Sequence, residues 1–228
     1  MVLDCRLRGL KNPRFFIFKR FLEKEVFHIG VVKISHGNAK MGSIASVSLP
    51  AGLTCKECDC GAKCYAAKLE RLRPNVREAY RNNLNVLMQN PDVYWREVEA
   101  ALMTNRFFRF HVSGDIVDEN YFKYMVEVVS RQKHCETLCF TKKYEIVNTH
   151  ILTGCSIPPN LHIVFSGWPN LQMKNNFHLP EAHVRFKNGY CEARDDAKEC
   201  GGNCTECAVT ESGCWTLKKG EQIIFDEH

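Results

Sequence analysis

Short apolar segments alternate with helix-forming segments through the middle of this sequence, and no other feature constrains the possible fold as tightly. Three segments between residues 107 and 166 are predicted strands: FFRFHV, TLCFT and LHIVFS. The two segments that separate them are predicted helices: DENYFKYMVEVVSRQ, which begins at Asp118, and KKYEIVNTHI. Alternating strands and helices imply a parallel sheet. We therefore expect an α/β fold, built as a partial or irregular (β/α) barrel.

The same pattern extends upstream, where the chain approaches a group of cysteines. SIASVSL at residues 43–49 is a predicted strand, and helices are predicted over residues 65–73, 75–90 and 91–105. In parallel sheets, ligand sites form at the carboxyl ends of the strands. We expect four residues that follow predicted strands to converge there: Cys64, Asp115, Lys142 and Trp168.

Cysteine is the unusual component of the composition. At 228 residues the chain can bury a substantial core without disulfide bonds, yet it contains thirteen cysteines. Its amino-terminal segment lacks the uninterrupted apolar stretch of a signal peptide, and no later segment approaches a membrane span. We therefore expect a cytoplasmic protein without a membrane partner, in which clustered thiols bind metal rather than form disulfides.

The charge of the chain gives little support to a nucleic-acid partner. The formal net charge of +5 is modest, and the basic residues are spread along the sequence. RFFIFKRFL at residues 14–22 mixes basic and aromatic residues as single-strand binders do, although the pattern is also typical of a buried edge strand with basic flanks. Nucleic acid stays an alternative partner beside an unknown small-molecule or macromolecular substrate.

Nine of the thirteen cysteines fall into two groups. The first cysteine group has the spacing C-x2-C-x-C-x3-C and consists of Cys55, Cys58, Cys60 and Cys64. The second cysteine group has the spacing C-x8-C-x3-C-x2-C-x6-C and consists of Cys191, Cys200, Cys204, Cys207 and Cys214. Such short gaps allow several thiolates to face one centre, and thiolates favour zinc or iron–sulfur clusters over magnesium or calcium.

Spacing leaves the identity of the metal open between two alternatives. The pairs Cys55/Cys58 and Cys204/Cys207 are C-x2-C knuckles that can combine into a single four-thiolate zinc site. The irregular gaps between the other cysteines suit iron–sulfur ligation better, which predicts one or two 4Fe-4S clusters. A third possibility is that both cysteine groups meet around a single metal centre.

Three residues near the predicted strand ends are candidates for catalysis. Asp115 can act as a base or bind an amino group; the alternative is that it caps the N-terminus of the next helix. His111 alternates with Phe110 and can face the site, although such a histidine is more often a satisfied core residue. Lys142 can hold an anionic substrate, with a solvated helix start as the alternative.

Several ordered motifs between residues 37 and 143 resemble the gene product 88 family of phage and bacterial proteins: GNAKMGSIASVSLPAGLTC, CYAAK, RPNVREAYRNN, RFHVSGDI, YFKYMVEV and CFTKK. The resemblance implies a viral or mobile-element origin and therefore a host-cell cytoplasmic location, but no particular reaction. The positions that match the family are Cys55, Cys60 and Cys64 in the first group and Cys191, Cys204, Cys207 and Cys214 in the second. Cys58 and Cys200 depart from the family pattern.

The arrangement also resembles radical SAM enzymes, which hold a 4Fe-4S cluster on three cysteines after the first strand of a partial barrel. Here a predicted strand precedes Cys55, and the aromatic Tyr65 adjoins Cys64. Ser113, Gly114 and Asp115 lie where that family binds S-adenosylmethionine, and the second cysteine group is similar to a cysteine-rich extension with auxiliary clusters. The usual C-x3-C-x2-C spacing is absent.

The sequence as a whole predicts an iron–sulfur protein in two parts. Residues 1–185 are expected to form the α/β domain that carries the first cysteine group, and residues 186–228 a cysteine-rich metal-binding segment packed on it. The leading hypothesis is a redox or radical-SAM-like enzyme. The alternative is a non-catalytic accessory protein in which structural clusters or zinc support binding to a host protein or nucleic acid.

Overall fold

The predicted alternation of strands and helices is present in the computed structural model, which describes residues 31–55, 60–169 and 171–227. Cys58 and the RFFIFKRFL segment lie outside the described residues. The strands are β1 (Ile34–Ser35), β2 (Ala45–Val47), β3 (Phe107–Phe110), β4 (Glu136–Thr141), β5 (Leu161–Ser166), β6 (Glu181–Arg185), β7 (Lys198–Glu199) and β8 (Gln222–Asp226). The α-helices are α1 (Tyr65–Leu72), α2 (Pro74–Gln89), α3 (Pro91–Thr104), α4 (Glu119–Arg131), α5 (Tyr144–Leu152) and α6 (Cys204–Val209).

The strands form one eight-stranded sheet in the order β1-β2-β3-β4-β5-β6-β8-β7. Only the β1–β2 pair is antiparallel among the described strands, and the other neighbours run parallel. In this order β1 and β7 are the two edges and are not paired with each other, so the sheet is open. The mixed α/β class is confirmed, whereas closure into a partial barrel is not confirmed.

Local sequence explains where the helices begin. Proline occupies the first turn of both α2 and α3, where its missing N–H group costs nothing. The side chain of Asn90 caps α3 by accepting a hydrogen bond from the Val93 N–H, and Asp118 caps α4 in the same way through Tyr121. Asp118, and not Asp115, is therefore the cap of the helix that follows the SGD segment.

Each face of the sheet is covered by a different part of the chain. On one face, the buried residues of α2, α3, α4 and α5 pack against Phe108, Phe110 and Cys139 of the strands. On the other face, Leu138 and Val164 pack against Ala208 and Trp215 from the carboxyl-terminal part of the chain. Because β3 side chains alternate between the faces, Arg109 lies on the side opposite Phe108 and Phe110.

The carboxyl-terminal segment contributes strands to the sheet as well as covering it. β8 lies between β6 and β7, and pairs with β6 over five residues from Glu181 to Arg185. A short 3-10 turn, Gly213–Trp215, places the Trp215 ring against Phe107, with 5.4 Å between ring centroids. The division of the chain at residue 185 stays a prediction. No helix in the described part of the chain is long and apolar enough to cross a membrane.

Candidate functional site

A cavity of about 440 Å³ opens at the edge of the sheet where the parallel strands end. The loops after β2, β3, β4, β5 and β8 all contribute to its wall. The structure brings together Trp168 and eight of the predicted site residues around it: Cys55, Cys60, Cys64, His111, Ser113, Gly114, Asp115 and Lys142. The expected convergence at the strand ends is present, while the chemical roles of these residues stay predictions.

The first cysteine group lies on the loop between β2 and α1, and backbone donors face two of its sulfurs. The Gly52 N–H donates to Cys55 Sγ at 3.2 Å, and the Ala67 N–H donates to Cys64 Sγ at 3.4 Å. Cys64 is thereby the cap of α1. Burial raises the pKa of Cys55, whereas the Gly52 hydrogen bond and the charge of Lys142 lower it. The Gly52 N–H and the charge of Lys142 therefore favour the thiolate form of Cys55, which burial disfavours.

Two cysteines form disulfides, although clustered thiols in this chain were expected to bind metal rather than form disulfides. Cys60, which lines the cavity, and Cys155, which follows α5, are disulfide-bonded. The other nine described cysteines are free thiols: Cys55, Cys64, Cys135, Cys139, Cys191, Cys200, Cys204, Cys207 and Cys214. Any metal site that uses Cys60 therefore requires that its disulfide first be reduced.

Asp115 ties two strand ends together instead of projecting a free carboxylate. Its Oδ1 accepts hydrogen bonds from the Thr141 hydroxyl at 2.6 Å and from the Ile116 N–H at 2.7 Å, and its Oδ2 accepts from the Lys142 N–H at 2.9 Å. Burial raises the pKa of Asp115, and these hydrogen bonds lower it. The carboxylate is only 4% exposed, so its main observed task is to fix the loop after β3 onto the end of β4.

The Ser113–Gly114 backbone is held by close contacts with the loop after β2. Ser113 Oγ donates to Glu70 Oε1 on α1 at 2.8 Å. Gly114 has a φ of +79°, and a Cβ at this position would lie 2.7 Å from both the Leu49 carbonyl oxygen and Thr54 Oγ1. Only glycine fits such a conformation and such an approach without strain. Glu70 was not predicted as a site residue, and no motif in the sequence marked it.

His111 is buried at the cavity wall and held from one side. Its Nε2 lies 2.8 Å from the Tyr121 hydroxyl, which in turn lies 2.9 Å from the Tyr94 hydroxyl. Its Nδ1 is buried and makes no hydrogen bond with the described residues. Burial and, to a smaller extent, the charge of Arg109 together lower the pKa of His111 to about 3. The imidazole is therefore neutral near pH 7.

Lys142 is a partly buried cation immediately after β4. Its Nζ donates to Ser166 Oγ at 3.2 Å and lies 5.9 Å from the centre of the Trp168 ring. Burial lowers its pKa, while Asp115 and the thiols of Cys55 and Cys64 raise it. The ammonium group is thus desolvated beside the first cysteine group and is not part of a solvated helix start.

Arg109 is a cavity residue that the sequence interpretation missed. It lines the cavity from β3, and its guanidinium lies 4.8 Å from the centre of the Phe140 ring. Its buried Nε has no hydrogen-bond partner among the described residues. The signal was available in FFRF, because strand alternation places Arg109 opposite the two core phenylalanines, Phe108 and Phe110.

Most of the second cysteine group packs on the face of the sheet opposite the main core. Four of its members contact the hydrophobic cluster that contains Leu138, Val164, Ala208 and Trp215: Cys200, Cys204, Cys207 and Cys214. The pKa of Cys214 is raised to about 12: burial is the largest cause, the thiols of Cys200, Cys204 and Cys207 add to it, and the charge of Arg109 opposes it. These four thiols are close enough to influence one another. Cys191 lies half-buried on the loop between β6 and β7.

The described side chains do not form a complete metal site. In the part of the chain that the structure describes, no group of three or more histidine, cysteine, aspartate or glutamate side chains is arranged to hold a metal ion. The nearest approaches to such a group are Cys55 and Cys64 at the cavity, with Cys60 disulfide-bonded, and the four thiols on α6 and in the segments that flank it.

A family comparison supports the resemblance seen in the motifs. The family model described as Gene product 88 matches residues 28–213, which is most of the chain. No curated protein and no solved structure matches the chain significantly. These comparisons give no support to a relationship with radical SAM enzymes.

Proposed function

We propose, for a chain that belongs to the gene product 88 family, that the first cysteine group binds an iron–sulfur cluster of the 4Fe-4S type. The observation that carries the proposal is that Cys55, Cys60 and Cys64 all line the cavity at the ends of the parallel strands. A cluster held by three protein thiolates keeps one iron available to a ligand in that cavity. Whether Cys58 supplies a fourth ligand stays a prediction.

The chemistry of the residues at the cavity fits this cofactor. Thiolates are the ligands that iron–sulfur clusters and zinc prefer. Backbone N–H groups already point at the sulfurs of Cys55 and Cys64, and hydrogen bonds to cluster sulfurs tune the reduction potential. The proposal applies to the reduced protein, because Cys60 must leave its disulfide before it can bind metal.

A bound cluster supplies electron transfer, and the chain supplies the surroundings that electron transfer requires. Lys142 places a desolvated positive charge beside both thiols and favours the net negative charge of a thiolate-bound cluster. The rings of Phe140 and Trp168 form an apolar part of the cavity wall, which limits the access of water. A redox enzyme that acts on a small molecule is therefore the function we favour.

The finer form of the proposal is that the cavity also binds S-adenosylmethionine. The cavity falls within the size range of small-molecule sites, which is about 300–1,000 Å³, and the Ser113–Asp115 loop borders it. An amino-group contact with Asp115 would have to share a carboxylate that already accepts three hydrogen bonds. This ligand is consequently tested separately from the cluster itself.

Metal analysis of the full chain tests the proposal. After anaerobic purification under reducing conditions, we expect iron and sulfide in roughly equal amounts and a brown protein. Cys55→Ala and Cys64→Ala should each lose most of both, because each removes one of three thiolates. Cys135→Ala should retain them, since Cys135 is buried in the main core and does not line the cavity. A shift in the spectrum of the reduced cluster on adding S-adenosylmethionine would support the finer form.

Two results would contradict the cluster proposal. One is a colourless reduced protein with stoichiometric zinc and no iron. The other is iron content that is unchanged in both cavity variants. Iron present without any spectral change on adding S-adenosylmethionine would remove only the finer form.

A structural metal in the second cysteine group is the competing function, and one observation favours it. Burial and the neighbouring thiols raise the pKa of Cys204 and Cys214, which pack with Cys200 and Cys207 against one hydrophobic cluster, and a bound metal would favour their thiolate forms. Zinc lost from Cys204→Ala but retained by Cys55→Ala would favour a non-catalytic accessory protein that binds a host protein or nucleic acid.

A further inference from the structure

Two polar groups on β3 and the loop after it are buried without a partner among the described residues. These are Arg109 Nε and His111 Nδ1, and neither forms a hydrogen bond with the described residues. Arg109 lies on β3, His111 follows it in the next loop, and both residues line the cavity. Buried polar groups are nearly always hydrogen-bonded in proteins. Two unsatisfied groups at one cavity wall therefore indicate a ligand that satisfies both.

The surroundings of Arg109 leave its hydrogen-bonding edge available. Its guanidinium stacks on the Phe140 ring, which occupies a face of the group and not its N–H donors. The charge of Arg109 lowers the pKa of Cys204 and of Cys214. Within the described residues, however, no thiol accepts a hydrogen bond from Arg109. A guanidinium edge of this kind matches the paired oxygens of a carboxylate or phosphate.

The acidic residues of the cavity wall are already occupied. Asp115 accepts three hydrogen bonds at the end of β4. Asp226 pairs with Arg185 at 3.0 Å, and Glu227 accepts from the Lys187 N–H at 3.0 Å. No carboxylate among the described residues neutralises Arg109, so the cavity holds a positive charge that the chain itself does not balance.

His111 adds a neutral donor beside this charge. Tyr121 holds the ring through Nε2, which fixes the orientation of Nδ1. When the Tyr121 hydroxyl donates to Nε2, the proton of the neutral imidazole lies on Nδ1, which then becomes a hydrogen-bond donor. A neutral donor next to an arginine is suited to an anion and unsuited to a cation.

The geometry points to an oxyanion subsite formed by Arg109 and His111, which takes the carboxylate or phosphate group of a small-molecule ligand. Lys142 lines the same cavity and adds positive charge. The subsite does not rest on the proposed cluster, because no metal ligand takes part in it. A cluster without an oxyanion subsite, and an oxyanion subsite without a cluster, are separate outcomes.

Calorimetric titration of the full chain, purified without added iron, tests the subsite with three probes: inorganic phosphate, acetate and succinate. We expect at least one probe to bind with one site per chain. Arg109→Gln should weaken that binding by about 10- to 100-fold, the value typical of a hydrogen bond to a charged group. Binding of phosphate alone would assign the subsite to a phosphate ester, and binding of either carboxylate alone would assign it to an organic acid.

Matched variants separate binding from folding. Arg106→Gln is the control, because Arg106 also lies over a phenylalanine ring, Phe107, but does not line the cavity. His111→Gln keeps a polar atom that can reach Tyr121 and removes the Nδ1 donor, so it should weaken binding by several-fold. If Arg109→Gln does not fold, Arg109→Lys keeps the charge and should still weaken binding because it loses the paired donors.

The subsite is wrong if none of the three probes binds at millimolar concentration. It is also wrong if folded Arg109→Gln, or Arg109→Lys in its place, binds the probe as tightly as Arg106→Gln does. Equal binding by all variants would place the anion elsewhere on the protein.

Discussion

The imidazole of His111 joins a buried chain of hydroxyl groups to the cavity wall. Tyr94, Tyr121 and His111 are hydrogen-bonded in series, and each of the three residues is at most 4% exposed. Such a chain is stable only while the imidazole is neutral, because protonation would place an unsolvated charge next to Arg109. One residue therefore links the electrostatics of the cavity to the stability of the fold.

The stability of the protein should depend on the protonation of His111. Its pKa is about 3 in the folded chain, against about 6.5 for a histidine in the unfolded chain. Between these values the unfolded state binds a proton that the folded state does not, so the free energy of unfolding decreases as the pH falls. The slope is at most about 1.4 kcal/mol per pH unit. Urea denaturation of wild type and His111→Gln from about pH 7 to about pH 5 measures it.

The difference between the two proteins isolates this residue. His150 and the carboxylates titrate in both and cancel. We expect wild type to lose more stability than His111→Gln as the pH falls. Parallel loss of stability in the two proteins would contradict the assignment of a buried neutral imidazole.

At the scale of elements, α2 is attached to the sheet by one buried amide as well as by apolar packing. Asn83 on this helix is fully buried. Its Oδ1 accepts from the Lys33 N–H at 2.6 Å, and its Nδ2 donates to the carbonyl oxygens of Lys33 and Ser48, both at 3.0 Å. A single side chain thus satisfies backbone groups in the residues next to β1 and β2, and it fixes the start of the loop that carries the first cysteine group.

Replacing Asn83 with alanine should destabilise the protein strongly. Three backbone groups would lose their partner, and an unpaired buried group costs about 1–3 kcal/mol. We expect a loss of about 3 kcal/mol in the free energy of unfolding, measured by urea denaturation. Asn82→Ala is the matched control on the same helix, because Asn82 donates a single hydrogen bond to the Val31 carbonyl oxygen. A similar small loss in both variants would show that the Asn83 amide is not an anchor.

At the scale of the whole molecule, the second face of the sheet is closed by the carboxyl-terminal segment. Thr205 Oγ1 on α6 donates to the Met41 carbonyl oxygen at 2.7 Å and accepts from the Ser43 N–H at 3.1 Å. The Cys204 N–H also donates to the Lys40 carbonyl oxygen at 3.0 Å. These contacts join residues more than 160 positions apart and hold the second cysteine group over Arg109.

Thr205→Val should loosen this attachment without unfolding the main core. Valine keeps the shape but removes both hydrogen bonds, which lowers the cost of local opening by about 1–3 kcal/mol. We expect alkylation of Cys204 and Cys207 to become about tenfold faster, measured by mass spectrometry under reducing conditions. Thr210→Val is the control, since the Thr210 hydroxyl forms hydrogen bonds only with Glu206 and Ser212, close to it in the chain. Cys135 is the internal reference for the main core. Equal rates in both variants would rule out the proposed anchoring role.

Local pattern was sufficient for the elements whose sequence repeats with a clear period. The predicted helix after Asp118 and the strand TLCFT are confirmed as α4 and β4, because their amphipathic or apolar pattern reflects the face each one buries. β6 and β8 were not predicted. QIIFD pairs in register with residues 181–185, about forty positions earlier, and nothing local in either segment specifies that partner.

The sequence by itself determined the α/β class, the helix start at Pro91, the helix that follows Asp118, and the clustering of thiols after the first parallel strand, because each depends on neighbouring residues. Only the tertiary structure decided that β8 enters the sheet between β6 and β7, that Asp115 joins two strand ends, and that Arg109 and His111 each have a buried nitrogen without a partner among the described residues. The physical reason is that burial and hydrogen-bond partners come from segments distant in the chain, and the energetic consequence of a charge depends on what surrounds it.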